Sequence, residues 1–170
     1  MLRTGAAEEE LGYCTTFPAQ NSSQGTYLIT AEHCITGAPY EVFIEHVAFP
    51  AEPLYANPVA DIAILLLRGK NVVVLPLGHN PTVGDNVAIV GFNPYHTRTL
   101  LRGHVALLEN NHIVLQAPMM TGMSGSALWC ERENSVCGVM LGISQAHPNF
   151  SVAASVQDIR MALNAVAGDK

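Results

Sequence analysis

Positive charge is scarce in this sequence: 8 Lys and Arg face 14 Asp and Glu among 170 residues, a net charge of −6. Binding a phosphate backbone requires clustered cations, so nucleic acid is not an expected partner. Long apolar runs are missing too. The longest, 62–67 and 72–77, fall far short of the roughly 20 residues that cross a bilayer as a helix, so no membrane segment is expected. Residues 1–10 are short and acidic where a secretory leader would be basic and then apolar, so either the protein is not exported or a leader has been removed. They read as a solvated tail or short helix. There is no internal repeat and no low-complexity tract. Charged residues make up only 13% of the chain against 49% hydrophobic, which excludes extensive disorder and suits one compact unit with a sizeable core.

What is present concentrates in three stretches. In Thr121-Gly122-Met123-Ser124-Gly125-Ser126 a serine stands between glycines. A serine hydroxyl is a weak nucleophile at neutral pH and needs a base for its proton and donors for the oxyanion it creates. Glycines at 122 and 125 permit a tight turn that exposes Ser124 and points backbone N–H groups inward. In Leu28-Ile29-Thr30-Ala31-Glu32-His33-Cys34 an apolar strand runs into a histidine, and in Ala60-Asp61-Ile62-Ala63-Ile64-Leu65 a lone acid opens a hydrophobic strand. Singly these are a turn, a core histidine and a strand start; together they supply a nucleophile, a base and its orienter.

In this order and with these flanks, the chain resembles the chymotrypsin-like (trypsin-like) serine peptidase superfamily, in its compact bacterial or viral form. His33 stands in a variant of that family's Thr-Ala-Ala-His-Cys, Asp61 in its Asp-Ile-Ala and Ser124 in its Gly-x-Ser-Gly. Triads on other folds run in other orders. An α/β-hydrolase esterase requires Gly-x-Ser-x-Gly and a later histidine, whereas here Ser126 replaces the last glycine and only His147 follows.

Short segments rich in aromatic and β-branched residues, separated by turn residues, predict an all-β fold. Strands are expected at 13–18, 26–31, 40–49 and 61–67, with Pro50, Pro53 and Pro58 outside any sheet ladder. Six more are expected at 86–91, 97–108, 112–117, 125–130, 136–145 and 150–155. Val156, Ile159, Leu163 and Val166 behind Ser155 predict one C-terminal helix, packed on the second half. The expected architecture is two six-stranded antiparallel β-barrels forming one unit. The first, 11–75, carries His33 and Asp61; the second, 76–170, carries Ser124 and the helix.

The resemblance implies that His33 takes the Ser124 proton, that Asp61 holds the imidazole, and that the N–H groups of Gly122 and Ser124 form the oxyanion hole. It implies a disulfide between Cys14 and Cys34. Cys130 and Cys137 flank a polar turn and are placed to bridge one hairpin. Four free thiols are the ordinary alternative. A zinc site from Cys130, Cys137 and His147 lacks a close Cys-x-x-Cys pair, and neither metal nor cofactor is expected. By analogy, Pro118, Met119 and Thr121, with Ser144, Gln145 and His147, line the pocket for the residue before the cut. No acid is among them, so small or medium uncharged side chains are expected there. Met123 replaces the aspartate that pairs with a processed N-terminus, so activity should not depend on such processing. Glu32 brings a charge beside the imidazole that raises its pKa.

The expected protein is a monomeric serine endopeptidase acting on protein or peptide, secreted or periplasmic. The alternatives are a viral polyprotein-processing enzyme in a host cytoplasm and a catalytically silent double barrel that binds a peptide or partner.

Overall fold

The computed structural model describes residues 1–5, 12–37, 39–93, 95–109, 111–145 and 149–168. The described residues build thirteen strands and one α-helix. The first half contains β1 (Leu2–Thr4), β2 (Gly12–Cys14), β3 (Phe17–Ser22), β4 (Gly25–Thr30), β5 (Tyr40–Ile44), β6 (Val47–Asn57) and β7 (Ile62–Arg68). These form one antiparallel sheet in the order β2-β1-β5-β6-β7-β4-β3, a curled half-barrel. The second half contains β8 (Asn86–Phe92), β9 (Arg98–Glu109), β10 (His112–Gln116), β11 (Ala127–Cys130), β12 (Ser135–Ile143) and β13 (Ser151–Ser155). They close into a six-stranded barrel in the order β10-β13-β12-β11-β8-β9. The architecture is the double barrel of the chymotrypsin-like fold. In the first half, seven strands in an open order replace the six closed strands expected.

Three local differences have physical causes. Residues 2–4 are not a solvated tail: β1 pairs with both β2 and β5, and Leu2 and Thr4 are buried. Three residues are too few to show a period. Pro50 and Pro53 lie within β6 after all. That strand changes partner along its length, pairing with β5 up to Ala51 and with β7 from Glu52 onward, and a register shift falls between Pro53 and Tyr55. Prolines are tolerated at such irregular positions. The single strand expected at 13–18 divides into β2 and β3, because Thr15 turns its hydrogen bonds toward the other half.

Strands β4 and β7 pair with each other and are buried almost throughout, which explains their unbroken apolar runs. Their side chains belong to a core that continues through Val136, Val139 and Leu141 of the second half to Ile159 and Leu163 of the helix, α1 (Val156–Gly168). The helix therefore packs on β6 and β7 as well as on β12 and β13. A capping box fixes its start: Ser155 Oγ bonds Asp158 Oδ2 at 2.6 Å, and the Asp158 N–H donates back to Ser155 Oγ at 3.2 Å. A second core, with Ile89, Leu115, Met123 and Leu128, fills the closed barrel.

Candidate active site

Where β4 ends, Ala31 is extended and a 3-10 turn, Glu32–Cys34, begins. Two anchors hold this turn. Buried Cys34 is joined to Cys14 with a Cα–Cα distance of 6.2 Å, and Asp61 reaches across from the turn just before β7. The Asp61 carbonyl accepts the Glu32 N–H at 3.2 Å. One carboxylate oxygen accepts the His33 main-chain N–H at 2.9 Å, and the other lies 2.7 Å from Nδ1 of the His33 ring. An ionised carboxylate can only accept, so Nδ1–H donates to it, and in the neutral ring the lone pair is then on Nε2.

Asp61 precedes β7 rather than opening it and has φ 52°. Aspartate enters this left-handed region more readily than most residues. The turn leading to it is set by Asn57, whose Oδ1 accepts the N–H groups of Val59 and Ala60 at 3.0 and 3.1 Å.

The hydrogen bond to Asp61 raises the His33 pKa above its ordinary 6.5; burial opposes the shift, and the charges of Asp61 and Glu32 add to it. Glu32 acts in the direction expected from sequence.

Ser124 lies in a tight loop of the second half. Its turns are closed by Met123 N–H to Met120 O at 3.1 Å and Ser126 N–H to Met123 O at 3.0 Å, while Gly125 N–H donates to Met140 O at 2.7 Å. Gly122 and Gly125 have φ of 86° and 81°, where a β-carbon is strained. Among the described residues the N–H groups of Gly122 and Ser124 donate to no backbone carbonyl. Ser124 Oγ donates to Leu141 O at 3.0 Å, and no hydrogen bond joins it to His33.

The serine loop nevertheless abuts the histidine turn: a β-carbon on Gly125 would collide with Thr15 O and Thr30 Oγ1 and lie 3.1 Å from Ala31 N. Thr15, absent from the sequence-based site, makes this junction. Its N–H donates to Ser124 O at 2.8 Å and its carbonyl accepts Thr30 Oγ1 at 2.8 Å. Its hydroxyl donates to Gly122 O and accepts the Phe92 N–H, each at 2.9 Å. The only sequence signal was a threonine directly after Cys14.

The structure thus brings the serine loop that holds Gly122 and Ser124 against the end of β4, which leads into the His33 turn held by Asp61. Pro118 and Thr121 are exposed ahead of the loop, whereas Met119 packs partly against the barrel core. Ser144 is buried and its N–H bonds Phe150 O at 2.9 Å; Gln145 is exposed beside it. His147 lies outside the described residues. Cys130 and Cys137 bridge the β11–β12 hairpin with a Cα–Cα distance of 5.8 Å, which removes both from the zinc alternative.

A closed barrel beside a half-barrel, with a histidine–aspartate pair and a glycine-flanked serine at their junction, defines the architecture of the chymotrypsin-like peptidases. The chain belongs to the trypsin-like peptidase domain family, which it matches over residues 19–139, a range containing His33, Asp61 and Ser124.

It is 28% identical over 94 residues to the pro-apoptotic serine protease NMA111 of Pyricularia oryzae, a match covering 50% of this chain and 9% of that protein. The NMA111 of Chaetomium globosum matches to the same extent. Among solved structures, the serine endoprotease of Yersinia pestis superposes with TM-score 0.84 at 19% identity, covering 99% of this chain and 62% of that one. The active form of the Rv3671c protease of M. tuberculosis gives 0.82 at 17%, covering 96% and 78%. The HtrA-type protease AlgW with a tripeptide gives 0.78 at 22%, covering 96% and 56%. At these identities the structures speak to the fold.

Proposed function

We propose that the protein is a serine endopeptidase that cleaves proteins or peptides through Ser124, His33 and Asp61. The single observation that carries this reading is the two-point hold of Asp61 on His33, which engages Nδ1 and turns Nε2, the basic nitrogen of the neutral ring, to the ring edge away from Asp61. His33 takes the Ser124 proton as the hydroxyl attacks the carbonyl, then delivers it to the leaving amine; a water reverses the sequence on the acyl-enzyme. The N–H groups of Gly122 and Ser124, which among the described residues donate to no backbone carbonyl, receive the oxyanion. The Leu141 carbonyl holds the resting hydroxyl, so a rotation of the Ser124 side chain precedes attack. Pro118, Thr121, Ser144 and Gln145 border the pocket for the residue before the cut. The two disulfides suit an oxidising compartment, secreted or periplasmic, and the enzyme acts as a monomer without metal or cofactor.

The hydrogen bond from Ser124 to Leu141 also favours a second reading, a silent double barrel that binds peptides. Intact mass after exposure to a fluorophosphonate separates the two. One adduct on the parent and none on Ser124→Ala supports the peptidase. No adduct on folded parent rejects it for the binding module.

A further inference from the structure

A cleft of about 750 Å³ opens where the two halves meet. Aromatic rings line it: Tyr13 from β2, Phe43 from β5 and Phe92 from the end of β8. The His96 ring centroid lies 4.5 Å from that of Tyr13. Of the two arginines on its lining, Arg3 is engaged, paired with Glu41 and lying 5.2 Å from the Phe43 ring centroid. Arg98, at the start of β9, is exposed and has no carboxylate partner among the described residues. One carboxylate, Glu45 in the β5–β6 turn, also borders the cleft.

Two of these rings are tied to the reaction centre. The Phe92 carbonyl lies so close to Gly122 that a β-carbon there would approach it to 2.8 Å, and the Phe92 N–H and Gly122 O share the Thr15 hydroxyl. Tyr13 adjoins Cys14, whose disulfide partner Cys34 adjoins His33. No residue of 118–121 or 144–145 lines the cleft. In the proposed reaction His33 passes its proton to the leaving amine. The half of the substrate that begins with that amine therefore meets the His33 side of the site, which the Cys14–Cys34 bridge ties to Tyr13 of the cleft.

Resting on the serine-peptidase reading, we propose that this cleft recognises the leaving-group half of the substrate, a peptide segment bearing an aromatic or large aliphatic side chain beside a carboxylate. The rings bury the apolar side chain, and Arg98 meets the carboxylate.

The test measures binding to the folded Ser124→Ala protein by fluorescence anisotropy, using C-terminally labelled peptides with free amines: Ala-Phe-Asp-Gly, Ala-Gly-Asp-Gly and Ala-Phe-Lys-Gly. The first is expected to bind at least about ten-fold tighter than either other. Adding Arg98→Glu, an exposed position, should reverse the preference for Asp over Lys, and Phe43→Ala should erase the preference for Phe over Gly. Equal binding of all three peptides, absence of saturable binding, or preferences unchanged by both substitutions would overturn the proposal. Fluorophosphonate labelling of the parent reports the peptidase reading separately. An adduct with unselective peptide binding sinks the cleft alone, whereas selective binding without an adduct supports the cleft and sinks the peptidase.

Discussion

The hydroxyl of Thr15 donates to the carbonyl of Gly122 at 2.9 Å, and this contact joins residues 107 positions apart in the two halves of the molecule. The same oxygen accepts the Phe92 N–H, so a single buried side chain sets where the serine loop sits relative to the histidine turn.

Replacing Thr15 with Val keeps its shape and strips the hydroxyl, leaving a buried carbonyl and N–H without their partner. Each unsatisfied group costs about 1–3 kcal/mol, so thermal denaturation should occur several degrees lower. Because a shift of the loop misplaces Ser124, kcat should fall by about 100-fold in protein that remains folded at the assay temperature. Thr15→Ser should restore kcat. A Val variant with the parent kcat would show that the junction holds without this hydroxyl.

The pH profile follows from the His33–Asp61 pair. As a base His33 must be neutral, and its pKa is raised above 6.5 chiefly by the Asp61 hydrogen bond. The alkaline-rising limb of kcat/KM should therefore have its midpoint above 6.5, and Asp61→Asn should move it down while lowering kcat by several orders of magnitude. Glu32→Gln should lower the midpoint by less, since its charge makes the smaller contribution. Stability runs the opposite way. The protonated pair stabilises the fold fully below 6.5, and that contribution is lost as pH rises through the folded-state pKa. A midpoint at or below 6.5 would contradict the pairing.

The two disulfides should differ in consequence. Cys14 and Cys34 are 20 residues apart and one of them adjoins His33, whereas Cys130 and Cys137 are 7 apart across the β11–β12 hairpin and neither adjoins His33, Asp61 or Ser124. Closing the longer loop is worth about 3 kcal/mol. Removing Cys14 and Cys34 together should lower both the denaturation midpoint and kcat. Removing Cys130 and Cys137 should lower only the midpoint, and by less. Unfolding curves and kinetics on the two double variants check this.

Sequence and structure agree most closely where several residues point the same way. The apolar runs of β4 and β7, the turn residues between strands and the Ser155 cap each mark an element whose neighbours agree with it. The histidine, aspartate and serine motifs were legible because each carries distinctive flanks. What escaped were relations formed only on folding. The three residues of β1 owe their strand to two partners, β6 hosts its prolines by changing neighbours, and Thr15 looks like any threonine until the halves meet. The resting position of the Ser124 hydroxyl likewise depends on Leu141, which only the pairing of the barrel brings near.

Gly125 offers the sharpest steric test of how the halves meet. Its φ of 81° already disfavours a side chain, and a β-carbon would strike Thr15 O and Thr30 Oγ1 beside the histidine turn. The carbonyl cannot swing aside as a flexible side chain would, since the Thr15 N–H also holds Ser124 O at 2.8 Å. Gly125→Ala must therefore push the serine loop away from His33. It should destabilise the fold by at least about 1 kcal/mol and reduce kcat far more than KM. Gly37→Ala, in open space, is the matched control and should leave both close to the parent. If the two alanine variants prove alike in calorimetry and steady-state kinetics, the loop does not depend on close contact at Gly125, and the serine must be positioned from within its own barrel.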